Sequence, residues 1–195
     1  MIHMYLKRNK ELGIIMLYLN DYKKQFYLRE ISRLTKTPLK TTQNKIKELE
    51  QKNILIGSQE GKNKYFKLNL SNIQTKFYLL QAEIYKTFLF LEKYPVFKTF
   101  LKEIKTLTPL IIFGSFARFK ADKNSDLDLL KISMNELKLP LHLLPYELHK
   151  IDMTEATFIK SLSQQETIIK EIEENHVILN NHSFYVDNMW SYYAG

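Results

Sequence analysis

One short stretch constrains this chain more than any other. Leu110-Ile111-Ile112-Phe113-Gly114-Ser115-Phe116-Ala117-Arg118 is followed by Ser125-Asp126-Leu127-Asp128-Leu129-Leu130. The first apolar run, with its β-branched residues and Pro109 ahead of it, reads as a buried strand. Gly114 ends it, where the backbone has to turn closely, and Ser115 opens a short helix. Free N–H groups at a helix start, with a hydroxyl beside them, make a cradle for phosphate. The second run carries Asp126 and Asp128 at i and i+2, which the two-residue period of a strand places on one face. Carboxylates facing the same way repel unless a cation lies between them. Mg²⁺ takes hard oxygen ligands of this kind and shares its remaining positions with water and phosphate.

The chain of 195 residues is long enough for one large domain or two small ones. It has no cysteine, which excludes disulfides, zinc–thiolate sites and cysteine nucleophiles. No run approaches the ~20 apolar residues of a membrane span. Lys and Arg also interrupt the start, so no secretory signal is expected. The expectation is a soluble, cytoplasmic protein with no membrane partner. The net charge of +8 is uneven: residues 1–70 hold 15 Lys/Arg against 6 Asp/Glu, and residues 71–195 hold 14 against 15. Such asymmetry suggests a nucleic-acid-binding module joined to a near-neutral body.

Within the basic part, Leu12, Ile15, Met16 and Leu19 recur at helical spacing, predicting a helix over 9–21. Leu28, Ile31 and Leu34 predict a second helix, and Thr37-Pro38 starts a third that runs to about Lys52. Ile54-Leu55-Ile56 and Lys64 to Leu70 then read as a β-hairpin, with its basic turn across 57–63. This succession over residues 9–70 resembles a winged helix-turn-helix. The resemblance implies double-stranded DNA as a partner, with Lys40, Thr41, Asn44 and Lys45 of the third helix as the reading surface. Lys62 and Lys64 would be the wing contacts. The alternative is a packing module whose basic residues keep it soluble.

From Asn72 to about Lys93 runs a strongly apolar helix, wider in its apolar surface than one core needs. It is either sandwiched between two domains or the seam of a homodimer. A further helix is expected over 96–107, and Pro140 and Pro145 rule out a long helix over 131–145. A third strand is expected over 147–153, in which Ile151 and Met153 alternate with Lys150, Asp152 and Thr154. Thr154 caps the next helix, an amphipathic helix covers 163–175, and the aromatic tail is helical. The histidines His3, His142, His149, His176 and His182 show no metal spacing and read as structural or surface residues.

Gly114-Ser115 with Asp126-Leu127-Asp128, over a core of about 95–180, resembles the signature of the polymerase-β-like nucleotidyltransferases, especially the minimal (MNT) type. The fold class implied is α+β: a winged helix-turn-helix over 1–71, a linking helix over 72–94 and a nucleotidyltransferase-like domain over 95–195. The resemblance assigns Gly114, Ser115 and Arg118 to the nucleotide phosphates. It assigns Asp126, Asp128 and a third carboxylate to two Mg²⁺ ions, with ATP or another NTP as substrate. Asp152 is the best match for the third carboxylate and Glu147 the alternative. Phe119 stands where relatives commonly have Gly, so the loop before Asp126 is expected to run differently. The activity implied is transfer of a nucleoside monophosphate, AMP from ATP, to a hydroxyl of a protein or small molecule. Minimal relatives act as antitoxins, which names a HEPN-type toxin as acceptor. The alternative is a DNA-binding regulator whose inactive nucleotidyltransferase-like domain senses nucleotide or mediates pairing.

Overall fold

A computed structural model of the protein describes residues 9–134 and 138–195. His3 and residues 135–137, within the stretch read as aperiodic, lie outside the described residues. The chain divides into two compact units, residues 1–85 with 189–195, and residues 86–188. The division falls inside two helices.

In the first unit, α1 (Lys10–Ile15) is capped by Asn9, whose side chain accepts from Leu12 N at 3.0 Å. A tighter 3₁₀ turn, Met16–Tyr18, takes over, so the helix expected over 9–21 ends early. β1 (Gln25–Tyr27), α2 (Leu28–Thr35), α3 (Leu39–Gln51), β2 (Leu55–Glu60) and β3 (Asn63–Leu68) follow. The three strands form an antiparallel sheet in the order β1-β3-β2. The sequence gives little warning of β1, which is too short to show an alternation. The turn expected over 57–63 is narrower than that. Strand pairing continues to Glu60 and Asn63, leaving Gly61, at φ +59°, and Lys62 as a two-residue connection. Ile14, Ile15, Ile31, Leu49 and Ile54 are buried in this unit. Tyr18 donates to the Phe66 carbonyl at 2.9 Å; burial, with the Glu30 charge adding to it, pushes its phenol well above the ordinary value.

α4 (Ile73–Lys93) leads into the second unit, followed by α5 (Val96–Glu103), which stops short of the expected 107. Then come β4 (Leu110–Phe113), α6 (Gly114–Ala117), β5 (Leu127–Ile132), β6 (Leu148–Met153), α7 (Glu155–Gln164), α8 (Thr167–Glu174), β7 (Val177–Asn180) and α9 (His182–Ala194). The sheet order is β6-β5-β4-β7, with β5 and β6 parallel and the other pairs antiparallel. Leu110, Ile112, Leu127, Leu129 and Val177 share one face of this sheet, in one core cluster with Phe90, Phe97, Phe100 and Phe116. The Phe90 and Phe97 rings meet edge-on at 4.8 Å, and each buried ring contributes roughly 2–3 kcal/mol. Thr154 caps α7, its hydroxyl accepting from Thr157 N at 3.0 Å. The helix expected over 163–175 is broken, because Gln165 turns left-handed at φ 52° between α7 and α8.

The architecture is thus mixed α+β with two small sheets. No helix among the described residues is long and apolar enough to cross a membrane. A side chain at left-handed φ is strained, so Gln165→Gly is expected to raise stability by about 0.5–1 kcal/mol. The shift of the urea midpoint at unchanged slope measures it.

Candidate functional site

The strand β4 delivers the chain to Gly114, and the antiparallel register sets Phe113 opposite Asp128. Gly114 has φ +66°, and a Cβ there would fall 2.1 Å from Asp128 Oδ2. Two independent constraints therefore require glycine: a left-handed backbone, and a carboxylate packed where any side chain would be. The Gly-Ser turn and Asp128 form one surface. The short α6 is closed by Arg118 N donating to the Gly114 carbonyl at 3.2 Å and Lys120 N to the Ser115 carbonyl at 3.1 Å. Ser115 is half-buried at the head of this helix.

The loop from 118 to 126 is built from its own groups. Asp122 Oδ1 accepts from Asn124 N at 2.9 Å and from the Ser125 hydroxyl at 3.2 Å, and Ser125 Oγ accepts from Asp122 N at 3.0 Å. This acid is used as turn chemistry. The loop releases Asp126, exposed, one residue before β5, and Leu127 N is held by the Glu147 carbonyl at 2.8 Å. Asp126 precedes the strand, so the two-residue period that places Asp128 opposite Phe113 does not reach it.

Phe119 stands at φ 56°. The loop therefore takes the left-handed step without glycine. That step costs an ordinary residue about 1–2 kcal/mol. Lys93 Nζ donates to the Phe119 carbonyl, and the Phe119 ring meets Phe90 edge-on at 6.0 Å, both offsetting the cost. Arg118, next to it, is exposed, and its guanidinium has no partner among the described residues.

Asp152, the expected third carboxylate, is not brought to this face. Parallel pairing sets Lys131 beside Asp152 and Asp128 beside His149. Adjacent partners share a face and successive residues alternate, so Asp152 lies on the opposite side of the sheet from Asp128. There Lys131, 5% exposed, reaches it at 3.1 Å and Lys150 at 2.9 Å. Burial alone would raise the Asp152 pKa, but the two lysines outweigh it and hold the carboxyl below the ordinary range. The residue that does lie against Asp128 is His149, with Nδ1 at 3.5 Å from Oδ1. By sequence alone His149 reads as a structural or surface residue. Its only sequence signal is alternation with Lys150 and Asp152, which does not say which side faces the aspartates. Glu147 is exposed, just before β6. Among the described residues no group of three His, Cys, Asp or Glu side chains gathers to hold a metal. Three carboxylates around two ions are not gathered among the described residues; Asp126 and Asp128 are the hard oxygen donors that would hold a single Mg²⁺.

In the first unit, Lys40 and Asn44 are exposed on α3 and Thr41 is half-buried. Lys45 is tied to Glu48 at 2.5 Å and Lys64 to Glu50 at 2.7 Å, while Lys62 is exposed at the hairpin turn.

Asp152→Asn is expected to cost about 1–2 kcal/mol, since Lys131 is buried but the carboxylate is half exposed; a fully buried pair would cost about 3–5. Its folded pKa is depressed, so this stability is in place above the ordinary 3.8 and is lost as the pH falls through the lower folded value. Wild type and variant should converge below it. Asp126→Asn, at an exposed position, should change stability by less than about 0.5 kcal/mol. Urea unfolding across pH separates the two.

Neither the curated proteins nor the solved structures compared with the chain give a match. The stretch from residue 95 to 184, which holds the glycine turn and both aspartates, matches the family model described as nucleotidyltransferase domain, and this supports a general nucleotidyl-transfer chemistry for that part of the chain.

Proposed function

We propose that the protein transfers a nucleoside monophosphate from an NTP, AMP from ATP in the first instance, to a hydroxyl of a partner protein. The observation that carries this reading is Gly114 packed on Asp128, with Asp126 two residues before it in the chain. The acceptor oxygen attacks the α-phosphorus, the bond to the bridging oxygen breaks, pyrophosphate leaves and the acceptor proton passes to solvent. Mg²⁺, held by Asp126 and Asp128, would supply charge neutralisation for the triphosphate. The bare backbone at Gly114 lets a phosphate approach closely, and Ser115 offers a hydroxyl at the same turn. Arg118, exposed one turn on, is free to reach a phosphate oxygen. His149 lies beside Asp128, with Nδ1 3.5 Å from Oδ1.

The acceptor class proposed is a HEPN-type toxin, with this chain as its antitoxin. Incubation with α-phosphate-labelled ATP, Mg²⁺ and such a protein should label the partner. Asp126→Ala and Asp128→Ala should each lower the rate at least about 100-fold. Equal labelling by wild type and variants would sink the reading. Nucleotide binding with no transfer to any partner favours instead a regulator whose nucleotide site is a sensor.

The charge excess of the first 70 residues, 15 Lys/Arg against 6 Asp/Glu, supports a second activity on the same chain. We propose that residues 9–70 act as a winged helix-turn-helix on double-stranded DNA, with α3 toward the major groove. Lys40, Asn44 and Lys47, exposed on α3, are the contacts, whereas Lys45 is engaged by Glu48. Lys40→Ala and Lys47→Ala together should flatten the slope of log affinity against log salt by about 1.8. An unchanged slope removes these lysines from the interface.

A further inference from the structure

A groove of about 820 Å³ opens in the first unit, with Tyr27, Arg29, Gln43, Lys47, Lys62 and Lys64 among its walls. Arg29, Lys47 and Lys62 are exposed and have no carboxylate partner among the described residues. Lys64 differs. Its Nζ lies 2.7 Å from Glu50 Oε1, with the Phe66 ring centroid 5.1 Å away. Glu50 comes from α3 and Lys64 from β3, so the pair ties the helix to the hairpin across the groove.

A slot has been left for this pair. Gly57, on β2, is directly beneath it. A Cβ at Gly57 would fall 2.2 Å from Lys64 Cε, 2.8 Å from Glu50 Oε1 and 2.9 Å from Lys64 Nζ. Gly57 is not among the residues with positive φ, so space and not backbone conformation accounts for the missing side chain. Lys64 remains 49% exposed and Glu50 27%, and ion pairs of that exposure are weak enough for a phosphate to compete.

We propose that Glu50 is a brake on DNA binding: it holds Lys64 in the slot over Gly57, withdrawing one cation from a groove whose other cations are free for backbone phosphates. The inference rests on the DNA-binding reading of residues 9–70. Its prediction is unusual for a DNA-binding groove, since the loss of an ion pair tightens binding. Two variants release Lys64 by different routes. Glu50→Gln removes the counter-charge. Gly57→Ala fills the slot with no change of charge, and because the atoms it meets are the far ends of flexible side chains, the fold accommodates it.

The test uses the full chain and a fluorescent DNA duplex of arbitrary sequence, titrated at several salt concentrations, with thermal melts to verify folding. Each variant should bind about five- to tenfold more tightly at 0.1 M salt and steepen the salt slope by about 0.9, the equivalent of one additional phosphate contact. Adding Lys64→Gln to Gly57→Ala should abolish the gain. If wild type binds but neither variant binds more tightly, the brake is wrong while the DNA reading stands. If neither wild type nor variants bind at the lowest salt, the DNA reading fails and the brake with it. Binding by the variants alone would support the brake in its strongest form.

Discussion

The contact between Gly114 and the Asp128 carboxylate is what the rest of the candidate site depends on. It requires β4 and β5 to pair antiparallel in one register, with Phe113 opposite Asp128. A slip of one residue would turn Asp128 into the opposite face and bring Leu127 or Leu129 against the turn. That register is fixed from the other side of the sheet, where Ile112 and Leu129, both fully buried, pack in the aromatic cluster around Phe97. Hydrophobic burial thus positions a pair of carboxylates that contribute nothing to it.

The acidic residues of this unit divide by what surrounds them. Asp122 spends its oxygens on the N–H and hydroxyl groups of its own turn. Asp152 is neutralised by Lys131 and Lys150 on the far face. Asp126 has no hydrogen bond or ion pair among the described residues, and Asp128 has only the long contact to His149. A carboxylate without a cation is the one still able to take one. Four acids of similar sequence neighbourhood are thereby sorted into two structural roles and one candidate site.

How much of this was legible beforehand follows from the range of the interactions involved. The glycine turn and the i, i+2 aspartates are local features, and local periodicity places them near each other without any knowledge of the fold. The face of Asp152 depends on the parallel register between β5 and β6, whose paired residues Asp128 and His149 are far apart in sequence. Nothing in the intervening chain encodes that register at short range, which is why His149 was passed over and Asp152 preferred. Phe119 is a different case: its left-handed backbone is offset by Lys93 and the Phe90 ring, which belong to a helix distant in sequence. The pairing of Lys45 and Lys64 with glutamates is also invisible to a count of charges, although Lys45 and Glu48 are one helical turn apart.

The loop between α6 and β5 carries a consequence for ligand entry. It is tied at three points: Lys93 to the Phe119 carbonyl, Tyr94 to the Ala121 carbonyl at 3.4 Å, and Asp122 to Ser125. Burial pushes the Tyr94 phenol above its ordinary value, so it stays a donor across neutral pH. A glycine-hinged loop would have to lose conformational freedom when it closed on a nucleotide, at a cost of roughly 1–2 kcal/mol for each backbone residue ordered. Here that ordering is already done on folding. The loop is a wall already tied down on folding, and a ligand that met it would not have to order it.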